Sequence, residues 1–219
     1  MKNIFSIGYT AFSISEFIDV LKHYEIRAII DVRSQPYSSR FEKYNKENIS
    51  QLLIKHKIYY KNYANEFGAR QTDRRFFAKD GYLDFEKFAK SDNFKMGFTK
   101  IDESMKLGYT FAFMCAEKQP ASCHRSILVS RIFRDAGYNV KHILSGGNVE
   151  SQEDIDMQLL DYYFPDRMQM SFDEMKTEPE LLKEAYRKRN VEIGYRLEEE
   201  LINDYTNDRI HKKNSSAIF

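Results

Sequence analysis

The run IRAIIDV (26–32) limits the possible folds more than any other stretch of this chain. Its apolar residues are continuous rather than alternating, so a strand made of them must be buried on both faces, as in a parallel sheet covered by helices. YTFAFMCA (109–116) has the same character, and KNIFSIG (2–8), IYYKNY (58–63) and YNVKHIL (138–144) supply three further strands. Ser13 is followed by Glu16 and flanked by Phe12 and Phe17, a capping box with a hydrophobic staple that predicts a helix from Ile14 to Tyr24. Further helical stretches fall near Lys46–Lys57 and from Cys123 to Ala136, the latter stopped by Gly137.

Strands and helices therefore alternate over roughly residues 1–165. The pattern predicts an α/β domain of three layers, with a mostly parallel sheet of about five strands and flanking helices. Beyond Pro165 the chain changes to a charged helical pattern over Pro179–Tyr205, so residues 166–219 read as a C-terminal helical extension ending in a frayed tail from Arg209 to Phe219. The segment FGARQTDRRFFAKDGYLDF (67–85) is a basic, aromatic insertion longer than an ordinary connection.

Lys+Arg 34 against Asp+Glu 33 leaves no overall field that would draw the chain to nucleic acid or anionic lipid, so any such contact must be local. No stretch has the apolar length of a membrane span, and the N-terminus lacks the features of a signal peptide. A cytoplasmic protein without a membrane partner is expected, with its two cysteines as thiols.

In an open parallel sheet the loops leaving the carboxyl ends of the strands share one rim, and ligands bind there. The polar residues of this chain cluster at those ends: Gly8, Tyr9 and Thr10; Asp31, Arg33, Ser34 and Ser38; Cys115, Glu117, Cys123, His124 and Arg125; then Ser145–Asn148. Arg33, Arg125 and the start of the helix at Cys123 are expected to hold an anion, with Tyr9, Thr10 and Ser38 beside it and Arg70 reaching in from the insertion. Asp31, Glu117, His124 and Cys123 are the candidate catalytic groups. Glu117 or His124 would move a proton, whereas Asp31, at the end of a buried strand, either acts on substrate or anchors Arg33.

Competing readings stay open for several residues. Arg125 could shape the loop through Glu117, Cys123 could be a nucleophile or a small buried hydrophobe, and Cys115 reads as core. The C-x7-C-H spacing lacks the short knuckle of zinc sites, so no metal ligand is assigned, and no cofactor is indicated. Arg70, Arg74 and Arg75 with Phe67, Phe76 and Phe77 could form a lid or a stacking platform, or the rings could pack into the core.

SIGYTAFSISEFIDVLKHYEIRAIIDVRSQPYSSR, IYYKNYANEFGAR and CAEKQPASCHR together resemble domain of unknown function 488. The motif positions here are Gly8, Tyr9, Asp31, Arg33, Pro36, Ser38, Cys115, Glu117, Cys123, His124 and Arg125. One departure is Phe67-Gly68-Ala69 where the family has L-G-G. The resemblance implies little chemistry beyond an association with DNA repair or nucleic-acid processing. A rhodanese or phosphatase loop is excluded, because six residues after Cys115 and Cys123 stand Ala121 and Val129 instead of an arginine.

The expected function is thus an enzyme acting on a phosphate-bearing substrate, with a nucleotide or nucleic acid as partner. The alternatives are a binding module without catalysis and a thiol enzyme using Cys123.

Overall fold

A computed structural model describes residues 3–167 and 176–197. Its centre is a sheet of six strands in the order β3-β2-β4-β1-β5-β6. The strands are β1 (Asn3–Gly8), β2 (Ala28–Asp31), β3 (Tyr59–Asn62), β4 (Phe111–Cys115), β5 (Asn139–Ile143) and β6 (Val149–Ser151). The first five run parallel and correspond to the strands expected from sequence. β6 is an unforeseen antiparallel edge strand on β5, too short for a hydrophobic pattern to announce it.

Helices cover both faces: α1 (Ile14–His23), α2 (Lys46–Lys55), the short α3 (Ala64–Phe67) and α4 (Phe85–Phe88), α5 (Asp92–Lys106), α6 (Arg131–Asp135), α7 (Gln152–Tyr163) and α8 (Glu178–Ile193). The continuous apolar strands feed two cores. Along β4, Phe111, Phe113 and Cys115 face the core under α5–α8, while Ala112 and Met114 face the core under α1 and α2. Ala28 and Ile30 of β2 face the first core and Ile29 the second, which is why neither strand alternates polar with apolar.

Ser13 Oγ accepts from the Glu16 N–H at 3.3 Å and Glu16 Oε2 from the Ser13 N–H at 2.8 Å, closing the capping box of α1. The helix expected from Cys123 starts one residue later and is wound in wide π-type turns over Arg125–Ser130 before continuing as α6. The helix α5 was not foreseen. Its buried positions are Phe94, Gly97, Ile101 and Met105, and the glycine interrupts the apolar stripe in sequence.

Leu181, Ala185 and Tyr186 of α8 are buried, and a polar network ties this helix to the sheet. Gln152 Nε2 donates to the Tyr186 hydroxyl at 2.8 Å, and that hydroxyl donates to Asp156, which also pairs with Arg134. Because the Gln152 amide nitrogen is committed as a donor, its Oε1 accepts from His142 Nε2–H at 2.9 Å, leaving His142 Nδ1 to accept from Ser6 Oγ at 2.6 Å. Leu201, Ile202 and the Arg209–Phe219 tail lie outside the described residues.

Burial, then the nearby Arg125 charge, push His142 down to about 3 from an ordinary 6.5. The folded chain holds this imidazole neutral, while the unfolded chain binds a proton below about pH 6.5. Its contribution to stability is therefore complete above that pH and is lost as pH falls toward 3, at up to about 1.4 kcal/mol per pH unit. Urea midpoints from pH 7 to pH 4 should fall less steeply in His142→Gln than in the native protein. Parallel slopes would mean that the imidazole does not contribute in this way.

Candidate functional site

The connection after β1 leads to β2, beyond β4, and the connection after β4 leads to β5, beyond β1. The loops leaving these neighbouring strands therefore diverge, which opens a crevice at the carboxyl edge of the sheet. A cavity of about 320 Å³ lies there, lined by residues following β1, β2 and β4 together with Ala69 and Arg70 of the insertion. Tyr9, Arg33, Ser38, Arg70, Glu117 and His124 all line it. Of the ten residues singled out from sequence, these six are brought together.

The other four stand behind the wall. Thr10 Oγ1 donates to the Ala116 carbonyl at 2.6 Å, fixing the turn after β1 to the end of β4. Asp31 is fully buried and entirely engaged: its carboxylate accepts from Arg33 Nη2 at 2.6 Å, Arg33 Nε at 2.9 Å and the Tyr60 hydroxyl at 2.6 Å. This is the anchoring role of the two that were open. Cys123 is 1 % exposed. Arg125 is also fully buried, so it does not present its fork to a ligand. Its Nη1 donates to the Glu117 carbonyl at 2.6 Å and Nη2 to that of Lys118 at 3.2 Å, so it shapes the loop through backbone oxygens instead of the Glu117 carboxylate.

Two glycines make this packing possible. A Cβ on Gly8 would lie 1.9 Å from the Glu117 carbonyl oxygen, and one on Gly68 would lie 2.4 Å from the Ala64 oxygen and 2.5 Å from Ser34 Oγ. The residue after Gly68, Ala69, is accommodated in the cavity wall, so only the first glycine of the family's pair is sterically required here.

Arg33 is the buried cation of the cavity wall. Burial works against its charge, but the hydrogen bonds and charge of Asp31 outweigh this and hold it protonated. The guanidinium lies over the Tyr9 ring at 4.9 Å, Nη2 also donates to the Tyr44 carbonyl at 2.8 Å, and Nη1 is buried without a hydrogen-bond partner.

Glu117, Cys115, Cys123 and His124 form a second, contiguous cluster. Glu117 Oε2 accepts from both Cys115 Sγ and Cys123 Sγ at 2.9 Å, and His124 Nδ1 lies 3.8 Å and 3.9 Å from the two sulfurs. His124 Nε2 donates to the Val32 carbonyl at 2.9 Å, which fixes the tautomer and leaves Nδ1 as the acceptor nitrogen. Burial, then Cys123, raises the Glu117 carboxyl, and burial pushes the Cys115 thiol well up. Burial also acts against a Cys123 thiolate, yet Cys115, the Arg125 charge and His124 together draw that thiol down.

Cys115 is the site residue that sequence reading placed in the core. It is buried in the core and also lines the cavity, since it is the last residue of β4. Ser34, Gln35 and Tyr37 line the cavity too; the signal for them was their position straight after β2.

The family model described as domain of unknown function DUF488 matches residues 13–132, more than half of the chain. The chain belongs to the DUF488 family. The match spans Asp31, Arg33, Ser38, Arg70, Cys115, Glu117, Cys123, His124 and Arg125, while Tyr9 and Thr10 precede it. Comparisons with curated proteins and with solved structures gave no significant match. The DUF488 segment thus carries both the Arg33 wall and the thiol cluster. Among the described residues no helix is long and apolar enough to cross a membrane.

Proposed function

We propose that the cavity binds the phosphate of a nucleotide or of a nucleic-acid end, and that the protein acts on this substrate as an enzyme. The observation that carries the reading is Arg33 Nη1, a buried donor without a partner on a guanidinium that lines the cavity. Leaving such a donor unsatisfied costs about 1–3 kcal/mol, which an anionic ligand would recover through a charge-assisted bond. Arg70 and Ser38 stand in the same wall, and Tyr37, 71 % exposed at its rim, offers a ring on which a base can stack. Glu117 is the proton-transferring group of this scheme, because a carboxyl with a raised pKa that lines a cleft suits general acid or base work. Arg125 and Asp31 are positioning residues.

Neither alternative has comparable support. The stacking platform would need free rings, yet Phe67 is wholly buried, Phe76 and Phe77 pack on the core, and Arg75 pairs with Asp73. A nucleophilic Cys123 would need to face the substrate, yet Cys123 is not among the residues that line the cavity.

Calorimetric titration with inorganic phosphate and with adenosine monophosphate tests the proposal. Arg33→Lys keeps a cation near Asp31 but lacks Nη1, and should weaken both ligands about tenfold to a hundredfold. Tyr37→Ala should weaken the nucleotide and leave phosphate unaffected. Native affinity for phosphate in a folded Arg33→Lys protein would reject the anion site.

A further inference from the structure

We infer that Cys115, Cys123 and His124 are the three protein ligands of a zinc ion at the inner wall of the cavity. Zinc binding does not depend on the phosphate reading; only its use by a substrate would. Cys115 Sγ, Cys123 Sγ and His124 Nδ1 all lie within 4.8 Å of one another, and all three residues are buried. In a tetrahedral site with Zn–S near 2.3 Å and Zn–N near 2.0–2.1 Å, neighbouring ligand atoms are about 3.5–3.8 Å apart. The separations of 3.8 Å and 3.9 Å between the imidazole nitrogen and the two sulfurs come within a few tenths of an ångström of that spacing.

The surroundings of His124 point the same way. Ligating histidines usually donate their other ring N–H to a carbonyl or carboxylate, which fixes the tautomer and aims the lone pair. Here Nε2–H donates to the Val32 carbonyl at 2.9 Å, so Nδ1 carries its lone pair on the side of the two sulfurs. Two thiolates and an imidazole form a soft donor set that favours zinc over magnesium or calcium.

Electrostatics supply the third argument. Glu117 Oε2 lies 2.9 Å from both sulfurs, and a divalent ion bound to the two thiolates cancels their charge where the carboxylate faces them. Binding exchanges the two S–H protons for two Zn–S bonds, and both protons leave to solvent with no change of oxidation state. Cys115 and His124 line the cavity together with Glu117, so an ion held by the three ligands would lie at the cavity wall. Three protein ligands leave the fourth position that catalytic zinc sites keep open.

Sequence spacing concealed the site because the two cysteines sit on different elements. Cys115 ends β4, Cys123 follows the turn at Pro120–Ser122, and Arg125 holds the intervening loop in place.

The test uses the full chain, purified under reducing conditions from zinc-supplemented cells without chelator and without phosphate. Elemental analysis should find one zinc per chain. Cobalt added to the demetallated protein should give an intense near-ultraviolet thiolate-to-cobalt band. A Cys115→Ser/Cys123→Ser double variant, with folding checked by circular dichroism, should lose both signals. Native protein with neither zinc nor the band would overturn the inference, as would a Cys115–Cys123 disulfide in its mass spectrum or native-level zinc in the double variant. Loss of phosphate binding in Arg33→Lys with zinc retained would separate the two proposals.

Discussion

Replacing Asp31 with alanine is expected to lower the unfolding free energy by about 3–5 kcal/mol, because it leaves the Arg33 charge buried and uncompensated. Asp31 is 0 % exposed, and its carboxylate is bonded by the Arg33 side chain and by the Tyr60 hydroxyl. Two losses combine in the variant: a cation without its counter-ion, and a half-buried tyrosine hydroxyl without its acceptor. Arg33 is also the cavity's buried cation, so the same substitution should abolish phosphate binding by releasing the guanidinium from its fixed place over Tyr9. Denaturant unfolding at neutral pH measures the first effect. A double variant, Asp31→Ala with Arg33→Met, should be more stable than Asp31→Ala alone, since no charge is then left buried. If the single variant lost less than 1 kcal/mol, the pair would be behaving as an exposed one.

Gly8→Ala is expected to be nearly as damaging for a different reason. The φ of Gly8 is −101°, which any residue adopts, so backbone freedom is not what glycine supplies there. Space is: the added Cβ would meet the Glu117 carbonyl oxygen at 1.9 Å and Arg125 Nη2 at 3.2 Å. The carbonyl belongs to the backbone and has to move, and moving it breaks the 2.6 Å bond from Arg125 Nη1. Overpacking costs about 1–3 kcal/mol, and the lost hydrogen bond from a fully buried guanidinium adds to it. The displaced loop also carries Glu117, so phosphate affinity should fall together with stability. A variant with native urea midpoint and native affinity would show that the loop tolerates the methyl group, contrary to the geometry described.

The parallel sheet was legible because its central strands are apolar on both faces, a pattern with few other solutions. Helix α1 was legible from the Ser13–Glu16 box, which is local chemistry that tertiary packing has no reason to override. Helix α5 was hidden by Gly97, whose missing side chain makes room for Glu66 and Phe67; a Cβ there would come within 2.6 Å of Glu66 Cβ. The rim could be named from sequence, since residues after parallel strands must share one edge. What could not be read was which side chains face the cavity and which stand behind it. Arg33 and Arg125 look equivalent as cations beside a polar loop, yet one lines the cavity and the other is spent on the carbonyls of Glu117 and Lys118. Cys115 looked like core because it is core, and only the end of β4 also places it in the wall. Such distinctions depend on how far each strand runs before it turns, which hydrophobic pattern does not encode.

Phosphate binding in the crevice between the diverging loops of β1 and β4 depends on Arg33 Nη1 as its donor. A crystal of the native protein grown without phosphate and then soaked in adenosine monophosphate tests this most directly. The phosphate is predicted within hydrogen-bond distance of Arg33 Nη1, with Ser38, Arg70 and Glu117 around it and the base against Tyr37. A well-occupied nucleotide bound elsewhere on the protein, with the crevice holding only solvent, would contradict the account.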